Sequence, residues 1–269
     1  MSNRFEGGAS RRGRVKRSEP GKPLITIITA TYNAAEYLPA AIQSIREQTY
    51  ENIEYIVVDG ASTDGTVDVI RANEDVIDYW VSAPDKGIYD AWNKGVRLSS
   101  GDWIAFLGAD DIYLEGAIQA YMTSIHACMD NLPQYVSSRV NLTSGSKVLR
   151  TIGQQWNWKA FRKYMNVAHV GSLHHRLLFE KFGLFDESYK ICGDYEFLLR
   201  PGPYLRAAYL NEITANMSVG GISGTNSQAF KETARAKIVT GGRSILLSHI
   251  EKYWAIAKWK LRSYLCGRT

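Results

Sequence analysis

Four times within residues 24–111 the chain runs from a short apolar, β-branched stretch directly into acids, amides or hydroxyls. This recurrence constrains the fold more than any other feature. Residues 24–30 lead into Thr31-Tyr32-Asn33, 53–58 into Asp59-Gly60, 76–81 into Pro84-Asp85-Lys86, and 103–107 into Gly108-Ala109-Asp110-Asp111. Runs that stay apolar without alternation are strands covered on both faces. Between them lie helical patterns: Leu38, Ala41, Ile42 and Ile45 at helical spacing, then residues 66–72 and 87–98. Strands alternating with helices predict βαβ units, hence an α/β fold with a parallel sheet flanked by helices. Residues just beyond the carboxyl ends of such strands line the ligand crevice. The polar chemistry is thus expected along one edge of one sheet.

Composition agrees with a packed globular chain: 269 residues, 45% hydrophobic and 22% charged. A mainly disordered polymer is excluded. Three scattered cysteines, Cys128, Cys192 and Cys266, offer neither a disulfide framework nor a paired-cysteine metal knuckle. The basic N-terminus has no apolar stretch behind it of the kind a secretory signal carries. No run of about 18 apolar residues exists, so no spanning helix is expected. These features predict a reducing, cytoplasmic setting. The net charge of +5 is unevenly placed. Residues 1–22 carry seven bases against Glu6 and Glu19, and residues 251–269 five against Glu251, which leaves 23–250 at −4. The acidic body argues against nucleic acid as a partner. The basic ends fit solvated tails, or tails that touch an anionic membrane surface.

Residues 1–22, rich in Gly, Ser and Arg, are expected to be a disordered basic tail. From about 130 to 220 the pattern weakens to short strands at 135–140 and 147–151, an aromatic stretch from Trp156 to Tyr164, a helix near 177–182, and a helix start at Gly193-Asp194. Residues 228–265 read as one or two helices. In the last, Ile250, Trp254, Ala257, Leu261 and Leu265 form a stripe flanked by Lys252, Lys258, Lys260 and Arg262. That pattern fits an interfacial helix or packing against the domain.

Asp110-Asp111 is the sharpest local signal. Adjacent carboxylates repel, so a hard cation such as Mg²⁺ or Mn²⁺, held with substrate phosphates, would suit them. A helix start with an acidic first turn is the other reading. Residues 59–66 pack Asp59, Ser62, Thr63, Asp64 and Thr66 around two glycines. A carboxylate there can accept from a base or ribose donor, or the segment is an Asx turn. Neither a dinucleotide nor a P-loop fingerprint is present, so a metal would have to hold phosphate.

Taken in order, residues 23–33, 57–66, 85–95 and 101–111 resemble the successive motifs of family 2 glycosyltransferases with the GT-A fold, over roughly residues 23–200. The resemblance implies a nucleotide-sugar-binding half at 23–125, an acceptor-binding half at 126–225, and a helical C-terminal segment at 226–269 that could associate with membrane. It implies that Thr31, Tyr32, Asn33, Asp59, Ser62, Asp64, Asp85, Lys86, Asn93 and Asp110 face the donor. It also implies that Asp110 and Asp111 hold Mn²⁺ or Mg²⁺. Gly108 stands where the family has the first acid of Asp-Ala-Asp-Asp. Gly193-Asp194 matches the family's Glu-Asp, with Gly replacing the Glu, so the catalytic base carries over to Asp194. His169, Trp156 and Glu196 are candidates for the acceptor side.

The implied activity is metal-dependent, inverting transfer from a nucleotide-diphosphate sugar, UDP-linked by resemblance, to a glycan or lipid-linked hydroxyl. A role in surface polysaccharide assembly at the inner face of the membrane accompanies it. The rivals are a nucleotidyltransferase, which should carry a Gly-rich basic loop after the first strand, and a non-catalytic nucleotide-sugar-binding scaffold. The oligomeric state, a homo-oligomer included, stays open.

Overall fold

The computed structural model describes residues 4–13, 15–128, 131–220 and 227–266. Its N-terminal half is built from β2 (Ile25–Thr31), α1 (Leu38–Arg46), β3 (Ile53–Asp59), α2 (Thr66–Ala72), β4 (Tyr79–Ser82), α3 (Ile88–Leu98) and β5 (Trp103–Gly108), preceded by a short edge strand β1 (Phe5–Gly7). Beyond them come β6 (Ile112–Tyr113), α4 (Ala117–His126), β7 (Tyr135–Ser144), β8 (Lys147–Ile152), α5 (Trp158–Phe161), β9 (Ser172–His175), α6 (Arg176–Phe182), α7 (Gly193–Leu199) and β10 (Ala207–Ser218). Two helices, α8 (Gln228–Val239) and α9 (Ile245–Cys266), end the described chain.

The strands form one sheet in the order β1-β4-β3-β2-β5-β9-β7-β10-β6, with β8 paired to β7. β4, β3, β2 and β5 are parallel neighbours, and so are β7 and β10. β9, β6, β8 and β1 run antiparallel to their partners. The sheet is mixed: the alternation of elements accounts for its parallel part, β4-β3-β2-β5, and the antiparallel strands β1, β6, β8 and β9 lie outside that alternation.

The unbroken apolar runs follow from two cores. Ile25, Ile27, Tyr55, Val57, Ala105 and Leu107 feed one face, while Ile28, Ile56, Val58, Ile104 and Phe106 feed the other. Period-two strands buried on both sides need apolar residues at every position. The third strand begins later than expected, at Tyr79 rather than 76, because the amides of Val76 and Ile77 close the end of α2 on Asn73 O.

The expected disordered tail is a correction. Phe5–Gly7 pairs with β4, Phe5 opposite Ser82 and Gly7 opposite Trp80. Lys16 Nζ reaches buried Asp78 at 2.8 Å, and Ser18 Oγ donates to Asp102. Composition counts apolar side chains, whereas this segment is held by backbone pairing and polar contacts, which composition does not register. Residues 1–3 and 14 of that tail, the expected boundary at 225/226, and the Arg262 and Leu265 side chains lie outside the described residues. Among the described residues no helix is long and apolar enough to cross a membrane.

Candidate active site

Parallel register builds the crevice. Thr31 stands beside Asp59, and Asp59 beside Ser82, so three strand ends form one row. Gly108 lies one step back, opposite Ala30. Asp59, fully buried, accepts from Ser82 Oγ at 2.6 Å, from Ser62 N at 3.0 Å and from Ser62 Oγ. Asn33 Oδ1 accepts from Thr63 N at 2.9 Å while Asn33 N donates to Ser62 Oγ, locking the first loop onto the second. Asp64 accepts from Thr66 Oγ1 at 2.6 Å and from Ala35 N at 3.0 Å; these bonds, that of the Thr66 hydroxyl above all, hold its carboxyl below the usual range. The Asx-turn reading of residues 59–66 holds at Asp64, and Ser62 of the same segment orients Asp59.

Thr31 Oγ1 is buried without a partner. A buried hydroxyl without a partner is costly, so a ligand donor or acceptor would suit it. Tyr32 is 66% exposed. A Cβ on residue 60 would stand 2.7 Å from Asp85 Oδ2 and 3.3 Å from the Tyr32 ring, so these two groups close on the space a side chain at 60 would take. Asp85 Oδ1 caps the Gly87 amide at 2.9 Å, and Lys86 N donates to Asp90.

At the end of β5, Asp111 is buried and Asp110 exposed. Ser218 ties the pair to β10: its amide donates to Asp111 Oδ1 at 3.0 Å and its hydroxyl to Asp110 O at 2.8 Å. Asp111 Oδ2 and Asp110 Oδ1 converge on the space beside Gly108. Burial, then the neighbouring Asp110 charge, pushes the Asp111 carboxyl up to about 7. Two crowded carboxylates in want of a counter-charge suit a hard divalent cation. Among the described residues no three His, Cys, Asp or Glu side chains gather as a metal cage. Such a cation would therefore need substrate oxygens and water to complete its shell.

Asp194 lies in the first turn of α7, where its Oδ1 accepts from Tyr195 N at 2.8 Å and from Tyr89 Oη at 3.2 Å. Burial pushes its carboxyl up to about 6. Its loop also docks on the 85–87 loop, since Lys190 Nζ reaches Lys86 O at 2.8 Å. Gly193 is explained by the same contact: a Cβ there would meet the Tyr89 ring at 2.8 Å.

Residues 26–183 match the family model described as Glycosyl transferase family 2. The chain belongs to that family. A PGL/p-HBAD biosynthesis glycosyltransferase of Mycobacterium bovis (strain BCG / Pasteur 1173P2) is 31% identical over 217 residues, covering 76% of this chain and 80% of that one. The fold is shared with S. aureus TarS in complex with UDP-GlcNAc, at TM-score 0.66 and 14% identity over 84% of this chain and 69% of that one. It is shared also with the mannosyltransferase PcManGT from Pyrobaculum calidifontis in complex with GDP-Man and Mn2+, at TM-score 0.60 and 18% identity over 97% of this chain and 81% of that one. The architecture is GT-A, and the protein is a glycosyltransferase.

Not every expected residue of this glycosyltransferase reaches the crevice. Asn93 is buried, with Oδ1 accepting from Phe185 N at 2.9 Å and Nδ2 donating to Phe185 O and Glu187 Oε1; it staples α3 to the 185–187 loop and has no amide group left for donor. Glu196 is likewise committed, paired with Arg200 Nη2 at 2.6 Å and accepting from Thr240 Oγ1 at 2.8 Å. Trp156 packs on Phe161 at 4.4 Å between ring centroids and edges toward Tyr135. His169 stacks on Phe106 at 5.1 Å and leans on Trp92 at 4.7 Å, both ring nitrogens buried without partners. Burial brings its pKa down to about 3, so it is neutral at physiological pH.

The sequence reading misses four residues that hold the site: Ser82, Ser218, Tyr89 and Glu232. Ser82 and Tyr89 were accessible to it, at a strand end and inside the 85–95 motif. Ser218 and Glu232 come from segments distant in sequence and carry no local signal. The family match ends at residue 183, ahead of Asp194.

Proposed function

We propose that the protein is a metal-dependent, inverting glycosyltransferase that uses Asp194 as general base. The observation that carries this reading is the position of Asp194: its carboxyl, raised to about 6, hydrogen-bonds Tyr89, four residues from Asp85 on the donor loop. A base poised just below neutrality suits proton abstraction at physiological pH. Thr31, Asp59 and Asp85 hold the nucleoside end of the donor, and Asp110 and Asp111 are the residues that would hold Mn²⁺ or Mg²⁺. The chemistry such a cation supplies is charge neutralisation of the departing diphosphate. Asp194 takes the acceptor hydroxyl proton. The oxygen forms its bond to the anomeric carbon as the carbon–phosphate-oxygen bond breaks on the opposite face, and the nucleoside diphosphate leaves. One displacement inverts the centre.

The donor is a UDP-sugar on the strength of the family resemblance. TarS in complex with UDP-GlcNAc and PcManGT in complex with GDP-Man support a nucleotide-sugar partner of either base. The acceptor is a glycan or lipid-linked hydroxyl in surface polysaccharide assembly at the inner face of the membrane. Supporting the membrane side, Ile250, Trp254 and Leu261 of α9 are each more than half exposed, with Lys252 and Lys258 lying over Tyr253 and Trp254. Apolar and aromatic groups flanked by lysines suit an anionic bilayer surface.

Turnover of UDP-glucose, UDP-GlcNAc and GDP-mannose by the wild type and Asp194→Asn tests the reading. Release of nucleoside diphosphate by the wild type and its loss in the variant, with nucleotide binding intact, supports it. Equal turnover by both removes Asp194 from the chemistry.

A further inference from the structure

The loop that delivers Asp194 is gripped from two sides, by segments more than 100 residues apart. From α8, Glu232 gathers three consecutive backbone amides, of Lys190 at 3.0 Å, Ile191 at 2.8 Å and Cys192 at 3.0 Å, and also accepts from Gln228 Nε2 at 2.9 Å. From α3, Tyr89 Oη donates to Ile191 O at 2.7 Å and leans on Asp194 Oδ1 at 3.2 Å. Its ring fills the space that a side chain on residue 193 would need. Residues 190–192 are therefore bound through their amides on one side and a carbonyl on the other, which fixes a segment that ends two positions before Asp194.

We propose that Tyr89 and Glu232 are positioning residues for Asp194: they set the direction and protonation of its carboxyl without touching substrate. The proposal rests on Asp194 being the base. It makes α8, which lies beyond the family match, part of the catalytic apparatus and not an appendage.

The two residues act on the carboxylate with opposite sign. A hydroxyl donated to the charged form favours ionisation, whereas a second carboxylate nearby opposes it. The titratable groups facing Asp194 are Tyr89 from α3, Tyr135 from β7, Cys192 from its own loop and Glu232 from α8. Burial and the Asp194 charge push the Tyr89 hydroxyl well above its ordinary value, and burial raises the Tyr135 and Cys192 groups, so all three stay protonated through the relevant range. Burial alone would raise the Glu232 carboxyl, but the bonds from Gln228 and the three amides outweigh it and keep it ionised.

The test compares Tyr89→Phe and Glu232→Gln with the wild type, using whichever of UDP-glucose, UDP-GlcNAc and GDP-mannose turns over fastest with Mn²⁺. The expected result is that KM for the donor changes less than twofold while kcat falls about tenfold in each variant. In addition, the acid limb of the kcat/KM profile moves to higher pH in Tyr89→Phe and to lower pH in Glu232→Gln. Unmoved acid limbs, or limbs moving the same way, would overturn the proposal, because a purely structural loss lowers kcat without splitting the limbs. Should Glu232→Gln fail to fold, the upward limb shift in Tyr89→Phe decides alone. Asp194→Asn runs beside them: if it keeps wild-type turnover, it is the base assignment that has failed and not the clamp.

Discussion

The Asp111 carboxylate stands in the space beside Gly108: its Oδ2 lies 2.6 Å from where a Cβ on residue 108 would be, and Asp110 Oδ1 lies 3.0 Å from the same point. The departure from the family's Asp-Ala-Asp-Asp therefore shapes the carboxylate pair as well as removing one acid. A methyl at 108 would push both oxygens apart. Gly108→Ala is expected to weaken Mn²⁺-dependent UDP binding at least tenfold, about 1.4 kcal/mol, with metal-free nucleotide affinity unchanged. Titration calorimetry with and without Mn²⁺ reads both.

With Asp194 as the proposed base, the pH dependence of activity is set by its carboxyl. With its carboxyl raised to about 6, the base form is lost as pH falls through that value. The expected kcat/KM is flat near neutrality and drops toward tenfold per unit below about pH 6. An acid limb at the ordinary aspartate value near 4 would contradict the burial that raises it.

Buried neutral histidines set the acid stability. Burial depresses the His169 pKa to about 3 and holds His174 well below its ordinary value. The unfolded chain takes up a proton at each below about pH 6.5 while the folded one does not, so this stability is present above 6.5 and drains away as pH falls. His169→Phe suits the aromatic packing around Phe106 and Trp92. Relative to the wild type, it is expected to gain roughly 2 kcal/mol in urea unfolding between pH 7.5 and pH 4.5. No relative gain would mean that His169 titrates normally.

Glu196 is expected to matter for stability rather than for acceptor. Removing one partner of a buried pair strands the other charge. Glu196→Ala leaves Arg200 beside Phe182 O and Leu184 O without its carboxylate, and is expected to cost about 3 kcal/mol in urea unfolding. The donor KM should stay unchanged.

The N-terminal segment should behave as part of the domain. Among the described residues, Lys16→Ala leaves buried Asp78 with the Tyr55 amide as its remaining hydrogen-bond donor, a loss of about 1–2 kcal/mol. Thermal unfolding of the variant should shift downward, which a disordered tail would not produce.

What the sequence reveals is the half of the site that parallel register builds. Thr31, Asp59 and Asp110-Asp111 are legible because each follows a run of residues buried on both faces, and the register of β2, β3 and β5 does the rest. The other half depends on contacts between distant segments. Asn93 and Glu196 carry the right chemistry at motif positions, yet the backbone at Phe185 and the guanidinium of Arg200 claim them first. Gly193 looks like a defect in its motif until Tyr89, 104 positions earlier, is found filling its space. Glu232 has no motif at all; only the fold brings it to the amides of 190–192.

The most direct test of the account is nucleotide binding by thermal shift, with UDP, GDP, dTDP and CMP, each in Mn²⁺ and in EDTA, for the wild type and Asp111→Asn. The expected result is a stabilising shift for one diphosphate, UDP, that EDTA and Asp111→Asn both abolish. Metal-independent shifts, or none with any nucleotide, would contradict a glycosyltransferase that holds its donor through a cation at Asp110 and Asp111.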